Sequence, residues 1–294
     1  PDLEIVRAEL LVGFEDIDEV VGNSLSLLQG GFGGPDIKIF VDLDGVGVDD
    51  FRPQVHDSDG LLIHMSTDEW IWRPLSNGPQ VHVTTHPDQT PNGFGLVQRD
   101  RNFESYLDVE ASYHRRPSAW ITPSQGDWGS GHVELLTYAS GSEFNDNVAA
   151  YWVTDAPFKA GDERYYRYRV TMFDDRLETQ TLAQVVHTRI GRDALPGELE
   201  PSPRSHRRFV VDFTLGQDIP SEVPDRVLGV LDSSTGQVSD LVVHRLPDER
   251  GWRASFRLIP DGNAASELRL YLVLGQQRLT ETWSYVWYPD HVID

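Results

Sequence analysis

Short segments in which large apolar or β-branched residues alternate with polar ones run through most of this chain and constrain its fold more than any other feature. They read WIWRPL, VHVTTH, HVELLTYA, VAAYWV, YYRYRVTMF, RFVVDFTL, WRASFRLI and LRLYLVL. Gly, Pro, Asn and Asp separate them, which is typical of strands joined by turns. Only residues 15–21 and 103–116 have a spacing that fits short helices. The sequence therefore predicts an all-β fold.

The spacing of the strand segments changes along the 294 residues. Residues 192–208 are rich in Pro and charge, and the segments that follow are short and separated by turns such as DSSTG. About seven short strands over about 110 residues is the pattern of an immunoglobulin-like sandwich. We therefore expect a β-sandwich domain over residues 1–177 and an immunoglobulin-like β-sandwich over residues 184–294.

The composition excludes several classes of function. The net charge of −22 argues against a nucleic-acid partner, which requires a basic surface. The absence of Cys excludes disulfides, thiolate metal sites and a Cys nucleophile. No apolar run reaches membrane-spanning length, so no membrane insertion is expected. Residues 1–20 lack the basic and apolar regions of a signal peptide.

Aromatic and charged residues are interleaved between residues 49 and 152, in segments such as DEWIWRPL and GDWGSG. This combination suits a sugar, because an indole stacks on the CH face of the ring while carboxylates and guanidinium groups bind its hydroxyls. The candidate stacking rings and hydroxyl-binding residues are Arg52, His56, Asp59, Trp70, Trp72, Arg73, Arg99, Tyr113, Arg116, Trp120, Trp128 and Asn147. The alternative is a β-core filled by Trp, with structural ion pairs at the strand ends.

Two Asp residues lie in polar motifs that suit catalysis but also suit turns. Asp57 lies in HDSDG, which favours an Asx turn, and Asp146 lies in NDN, which caps and turns well. From the residues alone, a turn and a catalytic carboxylate both remain open. His82 and His86 lie too far apart on one strand to share a metal, so no metal and no cofactor are expected.

Several long motifs, in the same order, carry a resemblance to a known family. They are RPQVHDSDGL, EWIWRPL, GFGLVQRDRNF, RRPSAWITPSQGDWGSGHVEL, NDNVAAYW and the terminal TETWSY. Together these motifs resemble the periplasmic glucan biosynthesis proteins G and D.

The resemblance implies a galactose-mutarotase-like β-sandwich followed by an immunoglobulin-like sandwich. It also implies a periplasmic location and an endo-acting, inverting hydrolase of β-1,2-linked glucan, the backbone of osmoregulated periplasmic glucans. By residue, it makes Asp146 the general acid and Asp57 the general base.

The chain departs from the family pattern at three places. The family has a longer region before the motif that contains Asp57, so the first sandwich is expected to be shortened or divergent at its N-terminus. Gln54 stands where the family usually has Glu, and EFNDN replaces ETNDN. Two other functions remain open, namely a glucan enzyme that transfers or cyclises, and a non-catalytic glucan-binding factor in glucan assembly. The sequence leaves open whether the protein forms a homodimer.

Overall fold

A computed structural model describes most of the chain from residue 51 onward and three backbone strands before it. The described residues are 5–13, 24–28, 38–39, 51–76, 81–138, 148–157, 159, 162–193, 202–215, 227–247 and 251–289. In the segments before residue 40, only the strand backbones are described. The predicted helix at residues 15–21 lies outside the described residues.

Strands dominate these segments, and no α-helix occurs among the described residues. The predicted all-β fold is confirmed. The strands are β1 (Ile5–Gly13), β2 (Ser24–Leu28), β3 (Lys38–Ile39), β4 (Gln54–Val55), β5 (Gly60–His64), β6 (Trp70–Pro74), β7 (His82–Asp88), β8 (Gly93–Val97), β9 (Ser118–Gly126), β10 (Gly131–Thr137), β11 (Val148–Thr154), β12 (Glu163–Phe173), β13 (Val185–Arg192), β14 (Arg207–Phe213), β15 (Leu228–Ser233), β16 (Gln237–Arg245), β17 (Trp252–Ile259), β18 (Ser266–Leu274), β19 (Gln277–Arg278) and β20 (Thr282–Trp287).

The segment at residues 103–116 forms two single 3-10 turns, Phe103–Ser105 and Tyr113–Arg115, instead of the predicted helix. Leu107 and Ser112 both have positive φ angles, of 56° and 51°. A right-handed helix cannot continue through a left-handed residue, so these two positions divide the segment. The helix prediction was wrong here.

The chain forms two compact units. The first contains Pro1–Trp70 and Leu75–Leu177, and the second contains Ile71–Pro74 and Glu178–Asp294. The division therefore crosses β6, because four residues of this strand belong with the C-terminal part of the chain.

Two large antiparallel sheets form most of the first unit, and β3 and β4 make a further two-stranded antiparallel pair. The first sheet has the strand order β1-β12-β9-β8-β5, and the second sheet has the order β2-β11-β10-β7. The ring of Trp128, which follows β9, lies 5.3 Å from the ring of Tyr166 in the first sheet and 6.3 Å from that of Trp152 in the second. The indole N–H of Trp152 also donates to the main-chain oxygen of Trp128. These aromatic contacts join the two sheets as a sandwich.

One end of this sandwich is defined by Gly60, Val97, Ser118, Thr137 and Val148, and we call it the Asp57 end. In the first sheet the start of β5 pairs with the end of β8, and the start of β9 pairs with the end of β12. In the second sheet the end of β10 pairs with the starts of β11 and β7.

The two sheets also lie next to each other at the end of the sandwich opposite to the Asp57 end. The backbone N–H of Ser66, just after β5, donates to the carboxylate of Asp88 at the end of β7, over 2.9 Å. Only four residues join the end of β9 to the start of β10, from Gly126 to Gly131. Because strands of packed sheets run in similar directions, Gly60, Val97 and Ser118 of the first sheet lie at the same end as Thr137 and Val148 of the second.

The second unit is also a sandwich. Its first sheet contains Ile71–Pro74 of β6, followed by β20, β18 and β15, and its other sheet has the order β13-β14-β17-β16. The ring of Trp283 lies 6.1 Å from those of Phe209 and Phe256 and stacks on Tyr285. Trp283 is fully buried and its indole N–H donates to Thr188 over 2.9 Å. This aromatic cluster is the core between the two sheets.

Candidate functional site

Asp57 lies in the segment that precedes β5, at the Asp57 end of the first unit. Its side chain is buried, with a residue exposure of 8%. Its main-chain oxygen accepts a hydrogen bond of 2.8 Å from the Ser58 hydroxyl. The structure thus holds this carboxylate in a largely enclosed position rather than in a solvated surface turn.

Gln98, at the end of β8, connects His56 to the interior of the unit. Its amide oxygen lies 3.3 Å from His56 Nδ1, and its amide nitrogen donates to the main-chain oxygen of His56. The same nitrogen lies 2.7 Å from the Tyr106 hydroxyl oxygen and 3.3 Å from the main-chain oxygen of Tyr113, so its two N–H groups are shared among three acceptors. The Gln98 backbone N–H donates to Ser118. A single buried amide therefore fixes both the ring and the carbonyl of the residue before Asp57.

Asp59 fixes the chain on the other side of Asp57. Its carboxylate accepts hydrogen bonds from the backbone N–H groups of Arg99 and Asp100, and its own N–H donates to the oxygen of Val97 over 2.8 Å. Arg99 takes part here through its backbone. These bonds join Asp59 to residues 40 and 41 positions away in the sequence, so they hold the loop against the end of β8 and do not form a local Asx turn.

Arg52 pairs with Asp108, from the connection between β8 and β9, over 2.9 Å. Burial acts to raise the pKa of the Asp108 carboxyl. Hydrogen bonds from Arg52 and from the backbone N–H groups of Ala111 and Glu110 outweigh it, so this pKa lies below its usual range. Asp108 is therefore a charged anchor for the loop and does not suit proton donation at neutral pH.

Tyr106 and Tyr113 pack beside His56. The ring of Tyr106 meets that of His56 edge-on at 5.2 Å. Burial, with Asp59 nearby, raises the pKa of the Tyr106 phenol. The guanidinium of Arg116 lies 5.5 Å from the centre of the Tyr113 ring. The structure therefore brings seven of the predicted site residues into one loop region of the first unit: Arg52, His56, Asp57, Asp59, Arg99, Tyr113 and Arg116.

The predicted stacking rings in the first unit lie in packed positions. Trp70 stacks between His64 and Trp120, with centroid distances of 4.0 and 5.8 Å. Trp120 covers Gly93, and a Cβ on this glycine would lie 2.4 Å from the indole. Trp128 lies in the core described above. All three indoles are buried and offer little face to a ligand, and their role as sugar platforms stays a prediction.

Trp72 and Arg73 belong to the second unit. Trp72 pairs with Trp283 in the parallel contact between β6 and β20. The guanidinium of Arg73 is buried and lies 5.6 Å from the centre of the Tyr285 ring. Burial lowers the pKa of Arg73 from its usual value. Both side chains make packing contacts there, and their predicted sugar contacts stay a prediction.

Asp146 and Asn147 lie outside the described residues. The flanking residues Thr137 and Val148 are described, and they are register partners at the Asp57 end. The connection that carries the NDN motif therefore leaves the second sheet, and returns to it, at the end of the sandwich where Asp57 lies.

Gln98 and Asp108 are the site residues that the sequence analysis missed. Gln98 follows the buried strand segment GFGLV directly, and its polar side chain turns inward. A polar residue at the end of a buried strand was the available signal, but nothing in the sequence shows that it would reach His56. Among the described residues, no cluster of His, Asp and Glu is arranged to hold a metal ion. No helix in these segments is long and apolar enough to cross a bilayer.

The fold and site define a protein of two β-sandwiches, with a loop region rich in carboxylates, guanidinium groups and tyrosines at one end of the first. The chain belongs to the family described as "Periplasmic glucan biosynthesis protein, MdoG", which it matches over residues 40–287. The family resemblance predicted from the motifs is confirmed.

Two similar proteins illustrate this relationship. Glucans biosynthesis protein G 1 of Shewanella oneidensis is 41% identical over 239 residues, which cover 81% of this chain and 42% of that relative. Glucans biosynthesis protein D 2 of Ralstonia nicotianae is 41% identical over 244 residues, covering 82% of this chain and 44% of that protein. The chain thus spans less than half the length of these curated relatives.

Proposed function

We propose that the protein is an endo-acting, inverting hydrolase of β-1,2-linked glucan in the bacterial periplasm. Asp146 is the general acid and Asp57 is the general base. The observation that carries this proposal is the shared position of Asp57, Thr137 and Val148 at one end of a single sandwich. The strands that adjoin these two motifs thus begin or end at the same end of the first unit, which supports the proposal.

The proposed chemistry needs two carboxyl groups with room for a water molecule between them. In an inverting glycosidase the acid protonates the leaving oxygen while the base activates water on the opposite face of the sugar, and the two groups are about 6.5–9.5 Å apart. Carboxylates supplied by two different loops suit such a wide pair. The enclosed position of Asp57 would aim its oxygens at one water rather than at bulk solvent.

The proposed substrate is neutral and polyhydroxylated, which suits the mixed charges around Asp57. Guanidinium groups and a phenol can each bind sugar hydroxyls. We assign this role to Arg52, Arg99, Tyr113, Arg116 and Asn147. The linkage and the endo mode rest on the family resemblance, and the family description supports the glucan and the periplasm.

A second candidate is a non-catalytic factor that binds glucan during its assembly. The names of the relatives favour it, because they describe glucan biosynthesis rather than degradation. A related variant of the first proposal is an enzyme that transfers or cyclises glucan, with the same two Asp residues in the same roles.

Assays of cleavage and binding with linear β-1,2-glucan distinguish these candidate functions. The full chain should release new reducing ends, and Asp146→Asn should lower turnover by orders of magnitude while glucan binding by calorimetry survives. Asp155→Asn is the matched control, because Asp155 is an exposed carboxylate beside Ser130 at the opposite end of the sandwich. Binding without release of reducing ends by the wild type would favour the assembly factor. Equal turnover in Asp146→Asn and the control would exclude Asp146 as the acid.

A further inference from the structure

We propose that Gln98 is a positioning residue for Asp57, acting through a clamp on the His56–Asp57 peptide group. This inference deepens the proposed function, since it rests on Asp57 being the base. Gln98 contacts His56, Tyr106 and Tyr113 through its amide nitrogen. It acts through the residue that precedes the carboxylate.

The orientation of the Gln98 amide follows from its partners. Its nitrogen faces the main-chain oxygens of His56 and Tyr113, each at 3.3 Å, and a carbonyl oxygen can only accept. The nitrogen must therefore donate to them, which turns the amide oxygen toward His56 Nδ1 at 3.3 Å. Gln98 thus contacts His56 at two places, the imidazole ring and the main-chain carbonyl of His56.

The carbonyl of His56 belongs to the rigid peptide plane that contains the nitrogen and the Cα atom of Asp57. Holding this oxygen therefore fixes the direction in which the chain enters Asp57. Gln98 is itself held in place, because it is 0% exposed and its backbone N–H donates to the buried Ser118 hydroxyl over 3.0 Å. Rotation of the peptide would break the bond to Gln98.

A second anchor lies on the far side of Asp57. Asp59 is tied to the same segment of chain, through Val97, Arg99 and Asp100. The chain is therefore held on both sides of Asp57 by contacts with residues 97–100.

Fixing the base in this way affects turnover more than substrate binding. A displacement of a reacting group by about 1 Å can cost roughly a hundredfold in rate. Gln98→Met keeps the length of the side chain and removes both the donor and the acceptor. We expect it to lower kcat by about ten- to a hundredfold with KM changed by less than about threefold.

Tyr106→Phe is the matched control within the same network. It removes the hydroxyl that accepts from Gln98 and donates to the main-chain oxygen of Asp100. Both contacts between Gln98 and His56 remain. Both variants lose hydrogen bonds in the buried network, so both should lower Tm. Only Gln98→Met should lower kcat. A loss of kcat that follows the loss of Tm equally in both variants would make Gln98 merely structural and overturn the proposal.

A second measurement keeps the clamp testable without activity. Amide hydrogen exchange at Asp57 and Ser58, followed by NMR, should rise at least about tenfold in Gln98→Met and stay near wild type in Tyr106→Phe. Unchanged exchange in Gln98→Met would overturn the clamp. If the two variants differ in amide exchange as expected but the wild type hydrolyses no glucan, the proposed function is wrong while the contact between Gln98 and the His56–Asp57 peptide group is supported.

Discussion

Val148 is the register partner of Thr137, so the segment that carries Asp146 starts and finishes at the Asp57 end of the first unit. The same pairing continues to the opposite end, where Thr154 meets Gly131. Between these two ends, β10 and β11 are held in register by seven pairs.

Gly93 should tolerate no side chain, because a Cβ there would lie 2.4 Å from the indole of Trp120. Trp120 is held in turn by its stack with Trp70. We expect Gly93→Ala to lower the free energy of unfolding by about 1–3 kcal/mol through overpacking. Denaturant unfolding measures this directly, with Gly191→Ala as control, since a Cβ at Gly191 meets nothing within 4 Å. Equal effects of the two substitutions would contradict the packing described here.

Trp283 should be a stability residue of the second unit. It is fully buried among Phe209, Phe256 and Tyr285. Trp283→Ala should cost about 3–5 kcal/mol, by lost burial and a new cavity. Thr188→Val is a milder companion that removes only the acceptor of the indole N–H and should cost about 1–3 kcal/mol. Loss of glucan binding by Trp283→Ala with an unchanged Tm would show that this assignment is wrong.

Asp212 should make the stability of the second unit depend on pH. Burial acts to raise the pKa of this carboxyl, but hydrogen bonds from Arg253 and Arg189 outweigh it and hold the pKa below its usual range. A carboxyl whose pKa is lower in the folded state stabilises the fold above its unfolded pKa, about 3.9, and this contribution is lost as the pH falls toward the folded pKa.

Asp212→Asn should therefore be less stable than the wild type at neutral pH, and the difference should shrink as the pH falls below about 4. Denaturant unfolding of both proteins over a pH series is the measurement. The Asn side chain keeps the shape but cannot form the charged pairs with Arg253 and Arg189. A difference that stays constant across the series would refute this origin of the pH dependence.

The neutral form of His56 should carry its proton on Nδ1. This nitrogen faces two acceptors, the amide oxygen of Gln98 at 3.3 Å and a carboxylate oxygen of Asp59 at 3.5 Å. Nε2 faces the amide of Gln54 at 3.0 Å, which can reverse to donate. Nitrogen chemical shifts of the ring at high pH distinguish the tautomers. A ring protonated on Nε2 alone would show that the amide of Gln98 points the other way.

The strands could be predicted from the sequence because alternation reports one buried face, and this signal is local. VAAYWV became β11 and WRASFRLI became β17 in this way, and both strands alternate between buried and half-buried residues. The failure at residues 103–116 has a local cause as well, namely the left-handed conformations of Leu107 and Ser112. Apolar spacing alone gives no warning of a positive φ at a residue other than Gly.

The site was predictable only in part. The HDS motif identified Asp57 through family resemblance, but the contact between Gln98 and His56 joins two segments through the fold. The dual use of Trp is a second obstacle, since the same side chain fills cores and stacks on sugars. Trp72 and Arg73 illustrate a third obstacle to predicting the site. Four residues of β6 belong to the second unit, in which this strand pairs in parallel with β20.

The anomeric configuration of the first product tests the central claim most directly. The wild type should be mixed with linear β-1,2-glucan and the new reducing ends followed by proton NMR before mutarotation equilibrates them. We expect the α anomer to appear first, because hydrolysis inverts the configuration at the anomeric carbon of a β linkage. Asp57→Asn and Asp146→Asn should each abolish its appearance, while Asp155→Asn should not. Initial release of the β anomer, or undiminished release by either active-site variant, would contradict the central claim.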